Sequence, residues 1–163
     1  MTANMKALPK SGETQLRAEL LSELTIDTLF NSSTEIYQQM LEENLINFGF
    51  GVDSPFSGNG YFSAGIGGES RNPREVRKRI FAVIQNAKEN GFDKEAFERL
   101  RKAKYGSMIR SMNSVESNAS MMLDCYMSGI KPFTPVSVLA EITYEEALQF
   151  LRDEIATYAT KTA

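Results

Sequence analysis

One stretch of this chain is written in the period of a β-strand, and the segments around it are written in the period of a helix. Ile46, Phe48, Phe50 and Val52 alternate with Asn47, Gly49, Gly51 and Asp53, which predicts a strand with one buried face. The segment SPFSGNG then supplies turn residues, and YFSAGIGGE sets Phe62, Ala64 and Ile66 on one face. The two runs read as an antiparallel hairpin with a longer loop. Glycines at 49, 51, 65, 67 and 68 weaken these strands and point to a bulge or a close backbone approach. A lone two-stranded ribbon is not a stable sheet. Either the piece around Ala3 to Lys6 adds a strand, or the remaining strands lie outside this chain. The expected fold is α+β, an antiparallel sheet with helices packed on one face and some strands missing.

The helices are signalled by periodicity and by their ends. From Ser11, Leu16, Leu20 and Leu24 recur with Leu21, Ile26 and Leu29 at helical spacing. Asn31, Ser32 and Ser33 interrupt the pattern, and Ser32 or Ser33 is expected to cap a second helix carrying Ile36, Tyr37, Met40 and Leu41 to about Asn44. Asn72-Pro73-Arg74-Glu75 combines a capping side chain, a first-turn proline and a glutamate three residues after the cap. The helix it opens has Val76, Ile80, Val83, Ile84 and Ala87 on its apolar face and stops at Gly91. Asp93 caps the next, and Asn113 or Ser114 opens another that carries Ala119, Met122, Leu123, Tyr126 and Met127. Thr134-Pro135 begins a short helix, and Thr143 with Glu146 forms a capping box for the last one. The tally is about six helices and one hairpin.

Composition narrows the chemistry sharply. There is no histidine among the 163 residues, and one cysteine, Cys125. Histidine is the usual general base near neutral pH and the usual ligand of catalytic zinc. Its absence removes Ser-His-Asp and Cys-His pairs and every histidine-bearing zinc motif, and one thiol builds neither a Cys-rich metal site nor an intrachain disulfide. A net charge of −3, from 18 basic against 21 acidic residues, makes no case for nucleic acid or an anionic membrane surface. Apolar runs fall short of the roughly 18 residues a membrane span requires, and the N-terminus lacks the apolar core of a secretion signal. The length suits one domain, able to bury roughly two thirds of its unfolded surface, and the cytoplasm is the expected compartment.

Four strings in order resemble the pitrilysin/insulinase family of zinc peptidases, in particular the C-terminal domain of its bacterial, processing-protease-like members. They are NSSTEIYQQMLEENLINFGFGV, GIGGESRNPREVRKRI, KENGFDKEAFERLRKAKYGSMIRSMNS and FTPVSVLAEITYEEALQFL. The resemblance spans nearly the whole chain and implies a single C-terminal, non-catalytic domain over residues 1–163, part of a longer polypeptide. It implies no cofactor in this chain, with zinc expected in the N-terminal half of the parent, whose His-x-x-Glu-His motif activates a metal-bound water. It also implies that this domain closes a substrate chamber against that metal-bearing half. The alternative is an inactive paralogue acting as a scaffold for a partner subunit. Active members often carry an Arg and a Tyr that help hold the substrate at the zinc. Aligned on Tyr37-Gln38-Gln39-Met40, those positions hold Leu41 and Phe48, which lack the guanidinium and the hydroxyl that would stabilise a developing oxyanion. Leu41, Asn47 and Phe48 are thus expected to line the chamber without taking part in catalysis. The implied partners are the metal-bearing half or a paralogous subunit, a peptide substrate, and a second copy pairing through an open sheet edge, with no nucleic acid and no membrane.

Other features have plain readings. The glycine-rich hairpin holds no phosphate-loop motif, though it suits docking of an extended peptide by strand addition. Arg71, Arg74, Arg77, Lys78 and Arg79 read as a solvated face. Methionines 108, 112, 121, 122 and 127 read as core filler, and Cys125 as a buried, inert thiol. Glu42-Glu43 and Glu145-Glu146 are neighbours on helices and point apart, so neither pair is a two-carboxylate site.

Overall fold

The structure, a computed structural model, describes residues 2–5, 12–58 and 61–155, with the backbone alone described at 2–5, 54–58 and 61–63. Ser11 and residues 6–10, expected to lead into the first helix, lie outside the described residues.

The hairpin gains its third strand from the N-terminus. Strand β1 (Thr2–Met5) pairs antiparallel with β3 (Tyr61–Gly67), which also pairs antiparallel with β2 (Gly51–Gly58), giving the order β1-β3-β2. Ala3 lies opposite Ala64, as the need for a further strand required. The pairing of β2 with β3 slips between Asp53 and Phe56, the bulge that the glycine content foreshadowed. Two expectations fail here. SPFSG is strand rather than turn, and with Gly58 opposite Tyr61 the connection shrinks to residues 59 and 60, outside the described residues. The strand also does not begin at Ile46. Residues 47–50 form a tight turn, Ile46 makes an isolated bridge to Ser70, and the ladder starts at Gly51.

Around the sheet lie α1 (Gly12–Phe30), α2 (Glu35–Glu42), α3 (Pro73–Asn90), α4 (Lys94–Ser111), α5 (Val115–Met127), α6 (Thr134–Glu141) and α7 (Tyr144–Phe150), which runs on into a wider π-type turn at Leu151–Ile155. The caps read in the sequence are largely present. The side chains of Asn72, Asp93, Ser114 and Thr143 accept from the backbone N–H groups of Glu75, Ala96, Ser117 and Glu146. For α2 the N-cap position is Thr34, not Ser32 or Ser33, and its side chain makes no capping bond, its hydroxyl donating to the Asn31 carbonyl instead. Ser33 instead donates to Asn31 Oδ1, so the serine side chain is spent on the preceding turn, and α2 ends at Glu42.

Helix α1 ties the molecule together because its apolar residues serve two clusters. Ile26, Leu29 and Phe30 join Tyr37, Met40, Ile46, Phe50, the β3 residues Ala64 and Ile66, and the α3 stripe Val76, Ile80, Ile84 and Ala87. Leu20, Leu21 and Leu24 join Phe97, Val138, Leu139, Ile142 and Ala147. Phe97, Leu139, Ala147 and Leu151 are completely buried, and the rings of Phe92, Phe97 and Tyr144 pack together with centroids 4.9–6.0 Å apart, Tyr144 meeting both phenylalanines edge to face.

Helix α5 departs from the pattern. Cys125 is its one buried residue, and Val115, Met122, Leu123, Tyr126 and Met127 are exposed. Reading Met122 and Met127 as core filler is therefore wrong: the periodicity is present, but the stripe faces solvent. Cys125 is buried as expected, and burial pushes its thiol pKa up, away from the reactive thiolate. Glu145 and Glu146 point apart, to Lys94 and Arg17 respectively. Among the described residues, no helix is long and apolar enough to cross a membrane.

Candidate functional site

The segment joining α2 to β2 is held by hydrogen bonds along its length. Asn44, with φ 55°, reverses the chain after α2 by taking the left-handed conformation that Asn tolerates better than most residues. Its N–H bonds the Leu41 carbonyl at 2.9 Å and the N–H of Leu45 bonds that of Met40 at 2.9 Å. Asn47 then builds the next turn. Its Oδ1 accepts from the N–H of Gly49 at 3.0 Å, its carbonyl accepts from the N–H of Phe50 at 3.0 Å, and its Nδ2 donates to Glu69 Oε2 at 2.9 Å. This is an Asx turn pinned across to the end of β3.

The far side of the turn is held as firmly. The buried Tyr37 hydroxyl donates to the Phe50 carbonyl at 3.1 Å. Gly68, at φ 150°, lies so close that a Cβ there would stand 2.5 Å from the Phe50 Cα; no other residue fits that crossing. Between these anchors Phe48 is 87% exposed. The alternation that placed it on a buried strand face fails because Asn47 prefers to bond Gly49 locally, and the turn swings the Phe48 ring outward. Beside it is an open concavity of about 380 Å³ lined by Asn44, Leu45, Ile46, Asn47, Glu69, Ser70 and Arg71.

Of the residues singled out in the sequence, Asn47 and Phe48 are neighbours on this turn. Leu41 is not brought to them: it is half-buried and leans on the α1–α3 core. Glu69, Gly68, Tyr37 and Asn44 complete the site and were not expected as site residues. The Asn47-x-Gly49 spacing was the available signal for the turn, and nothing in the local pattern marks Glu69.

Electrostatically the neighbourhood is balanced. Arg79 donates to both carboxylate oxygens of Glu43, at 3.0 and 2.6 Å, and to Glu75 at 3.2 Å. The hydrogen bonds from Arg79 hold the Glu43 pKa below its usual range. One member of the basic cluster is thus an ion-pair anchor between α2 and α3 rather than part of a freely solvated face. No three Asp, Glu or Cys side chains converge as a metal site among the described residues. The turn presents an exposed aromatic ring, with the Asn47 amide and the Glu69 carboxylate bonded to each other beside it.

Residues 3–104 match the Peptidase M16 inactive domain, and the chain belongs to that family. It is 30% identical over 148 residues to YmfH, described as an uncharacterized zinc protease, of Bacillus subtilis strain 168, which accounts for 90% of this chain and 34% of that protein. Its fold superposes on an M16-like peptidase from Alicyclobacillus acidocaldarius with a TM-score of 0.81 at 23% identity, over 97% of this chain and 38% of that one. It also superposes on pitrilysin with a TM-score of 0.64 at 13% identity, over 96% of this chain and 17% of that one. A chain from Bordetella parapertussis described as an inactive peptidase domain gives 0.66 at 14% identity, over 94% of this chain and 85% of that one. This chain spans about a third of the Bacillus relative.

Proposed function

We propose that this chain is the non-catalytic domain of a zinc-dependent peptidase and closes the substrate chamber against a metal-bearing N-terminal half. The observation that carries the reading is Phe48: a large ring, 87% exposed, on a turn fixed by Asn47, Glu69, Tyr37 and Gly68. A rigid exposed aromatic contributes apolar contact area at low entropic cost, and it suits a peptide held between two halves. The edge of β2, unpaired among the described residues, suits an extended segment by strand addition. The zinc belongs to the partner half, since its ligands there include histidines and this chain has none. A reducing compartment, the cytoplasm, accords with the single buried thiol.

The test is reconstitution. Mixed with the polypeptide encoded upstream or in frame, this chain should restore chelator-sensitive peptide cleavage. Phe48→Ala should lower kcat/KM roughly tenfold, about 1.4 kcal/mol, with unchanged melting temperature. Stable association without cleavage would favour the scaffold role instead. Full activity of Phe48→Ala would remove the turn from the chamber.

A further inference from the structure

The balance that Arg79 sets beside the turn does not extend along the start of α3. Residues 69–79 carry five basic side chains against two acidic ones, in a chain of net charge −3. Both acids are engaged: Glu75 accepts from Arg79 and Glu69 from Asn47. Arg71, Arg74 and Lys78 are exposed, and among the described residues none of the three has an ion-pair partner. Arg77 lies over the Phe81 ring, 5.4 Å from its centroid, a contact that leaves its charge in place.

These cations flank an apolar pocket. Its deep side is lined by Phe50, Ile66, Val76 and Ile80, all of them buried. Ser70 and Pro73 also line it, and the next residues in the chain are Arg71 and Arg74, which places two of the cations at the mouth. The volume is about 280 Å³, against the roughly 150 Å³ of an apolar protein cavity that takes a benzene ring. There is room for one large aliphatic or aromatic side chain. The pocket adjoins the concavity beside Phe48, because Ser70 lines both. Phe50, on its deep side, closes the turn on which Phe48 is carried.

An apolar pocket with cations at its mouth selects an occupant by two properties. The lining rewards a buried apolar side chain. The mouth favours carboxylates on either side of that chain and repels Lys and Arg. Resting on the reading of this domain as a wall of a peptide chamber, we infer that the pocket beside the Phe48 turn determines specificity. It holds a leucine- or phenylalanine-sized side chain of the substrate peptide, whose neighbouring Asp or Glu residues meet Arg71 and Arg74.

The probe is a fluorescein-labelled peptide, blocked at its C-terminus, with a central leucine between glutamates, titrated into the full chain by anisotropy. One twin carries alanine at the centre and another carries lysines at the flanks. The leucine-glutamate peptide should bind at least about tenfold tighter than either twin, and more weakly as salt rises. Arg74→Glu stands in the first helical turn, where a carboxylate complements the helix dipole and keeps the fold. It should lower the preference for glutamate over lysine flanks about tenfold and leave the preference for leucine over alanine. Equal binding of the leucine and alanine peptides would overturn the inference, and so would full retention of the glutamate preference in Arg74→Glu. These titrations need neither zinc nor a partner half, so the two readings fail separately. Leucine- and glutamate-dependent binding by a chain that restores no cleavage would keep the pocket and remove the chamber. Restored cleavage indifferent to both residues would keep the chamber and remove the pocket.

Discussion

Helices α3 and α5 are both amphipathic, both begin with a side-chain cap, and they dispose of their apolar stripes in opposite ways. In α3, Val76, Ile80, Ile84 and Ala87 are buried against α1 and the sheet. In α5, Val115, Met122, Leu123 and Tyr126 face water and Cys125 alone is buried. A helical hydrophobic period states that a helix has a face to cover; it does not state what covers it. In α3 the cover is the same chain. In α5 nothing among the described residues covers it.

The comparison breaks most decisively at the level of stability. Ile80 is 2% exposed within the larger cluster, so Ile80→Ala should destabilise the chain by roughly 2–4 kcal/mol through lost transfer energy and a residual cavity. Leu123→Ala, the same class of truncation on α5, should cost no more than about 0.5 kcal/mol. Urea denaturation of both variants is the measurement. A Leu123→Ala loss comparable with that of Ile80→Ala would show that the α5 face is covered in the isolated chain after all.

The legibility of the chain divides along the same line. Features decided within a few residues are readable: the caps at Asn72, Asp93, Ser114 and Thr143 are side-chain-to-backbone bonds three residues long, and the need for a third strand follows from the weakness of a lone hairpin. Features decided by competition are not. At Asn47 a strand period competes with a side-chain turn, and the local hydrogen bond to Gly49 wins, which reverses the exposure of Phe48. Ser33 similarly serves the turn at Asn31 and leaves the capping position to Thr34. The bond from Asn47 to Glu69 crosses from the start of one strand to the end of another, a contact that only the closed sheet creates. Leu41 and Phe48 are separated in the fold because α2 ends before the turn, so one faces the core and the other leaves it.

A second, smaller effect sharpens the view of the turn as a fixed element. Gly68→Ala would press a methyl group onto the Phe50 Cα at 2.5 Å in a backbone conformation that disfavours side chains, at an expected cost of about 1–3 kcal/mol. The damage should be local. Amide exchange protection should fall at residues 47–52 and 66–70 more than in α4 or α7. Uniform loss across the chain would mean that the crossing supports the whole core rather than the turn alone.

The smallest effect concerns charge on α1, which carries Glu23 and Asp27 one turn apart, with Lys104 of α4 bonded to Glu23. Burial, and then the charge of Glu23, raise the Asp27 pKa, with Lys104 opposing them. A carboxyl group whose pKa is higher in the folded than in the unfolded chain binds its proton more readily when folded. Its charged form therefore opposes folding: the penalty is complete above the raised value, declines as pH falls through it, and vanishes below the unfolded value. Asp27→Asn should accordingly stabilise the chain near neutral pH, by about 0.5 kcal/mol for a partly exposed site, and the gain should shrink toward nothing as pH falls through the carboxylate range. The quantity to follow is the difference in melting temperature between parent and variant as a function of pH, because the exposed pairs Glu43–Arg79 and Glu145–Lys94, whose carboxyl pKa values are lowered by their hydrogen-bonded cations, lose their contribution on acidification in both proteins and cancel. A loss of stability near neutral pH that fades in acid would mean instead that Asp27 is stabilised by Lys104 more than it is penalised by burial. The polar face of α1 would then be an ordinary ion-pair surface.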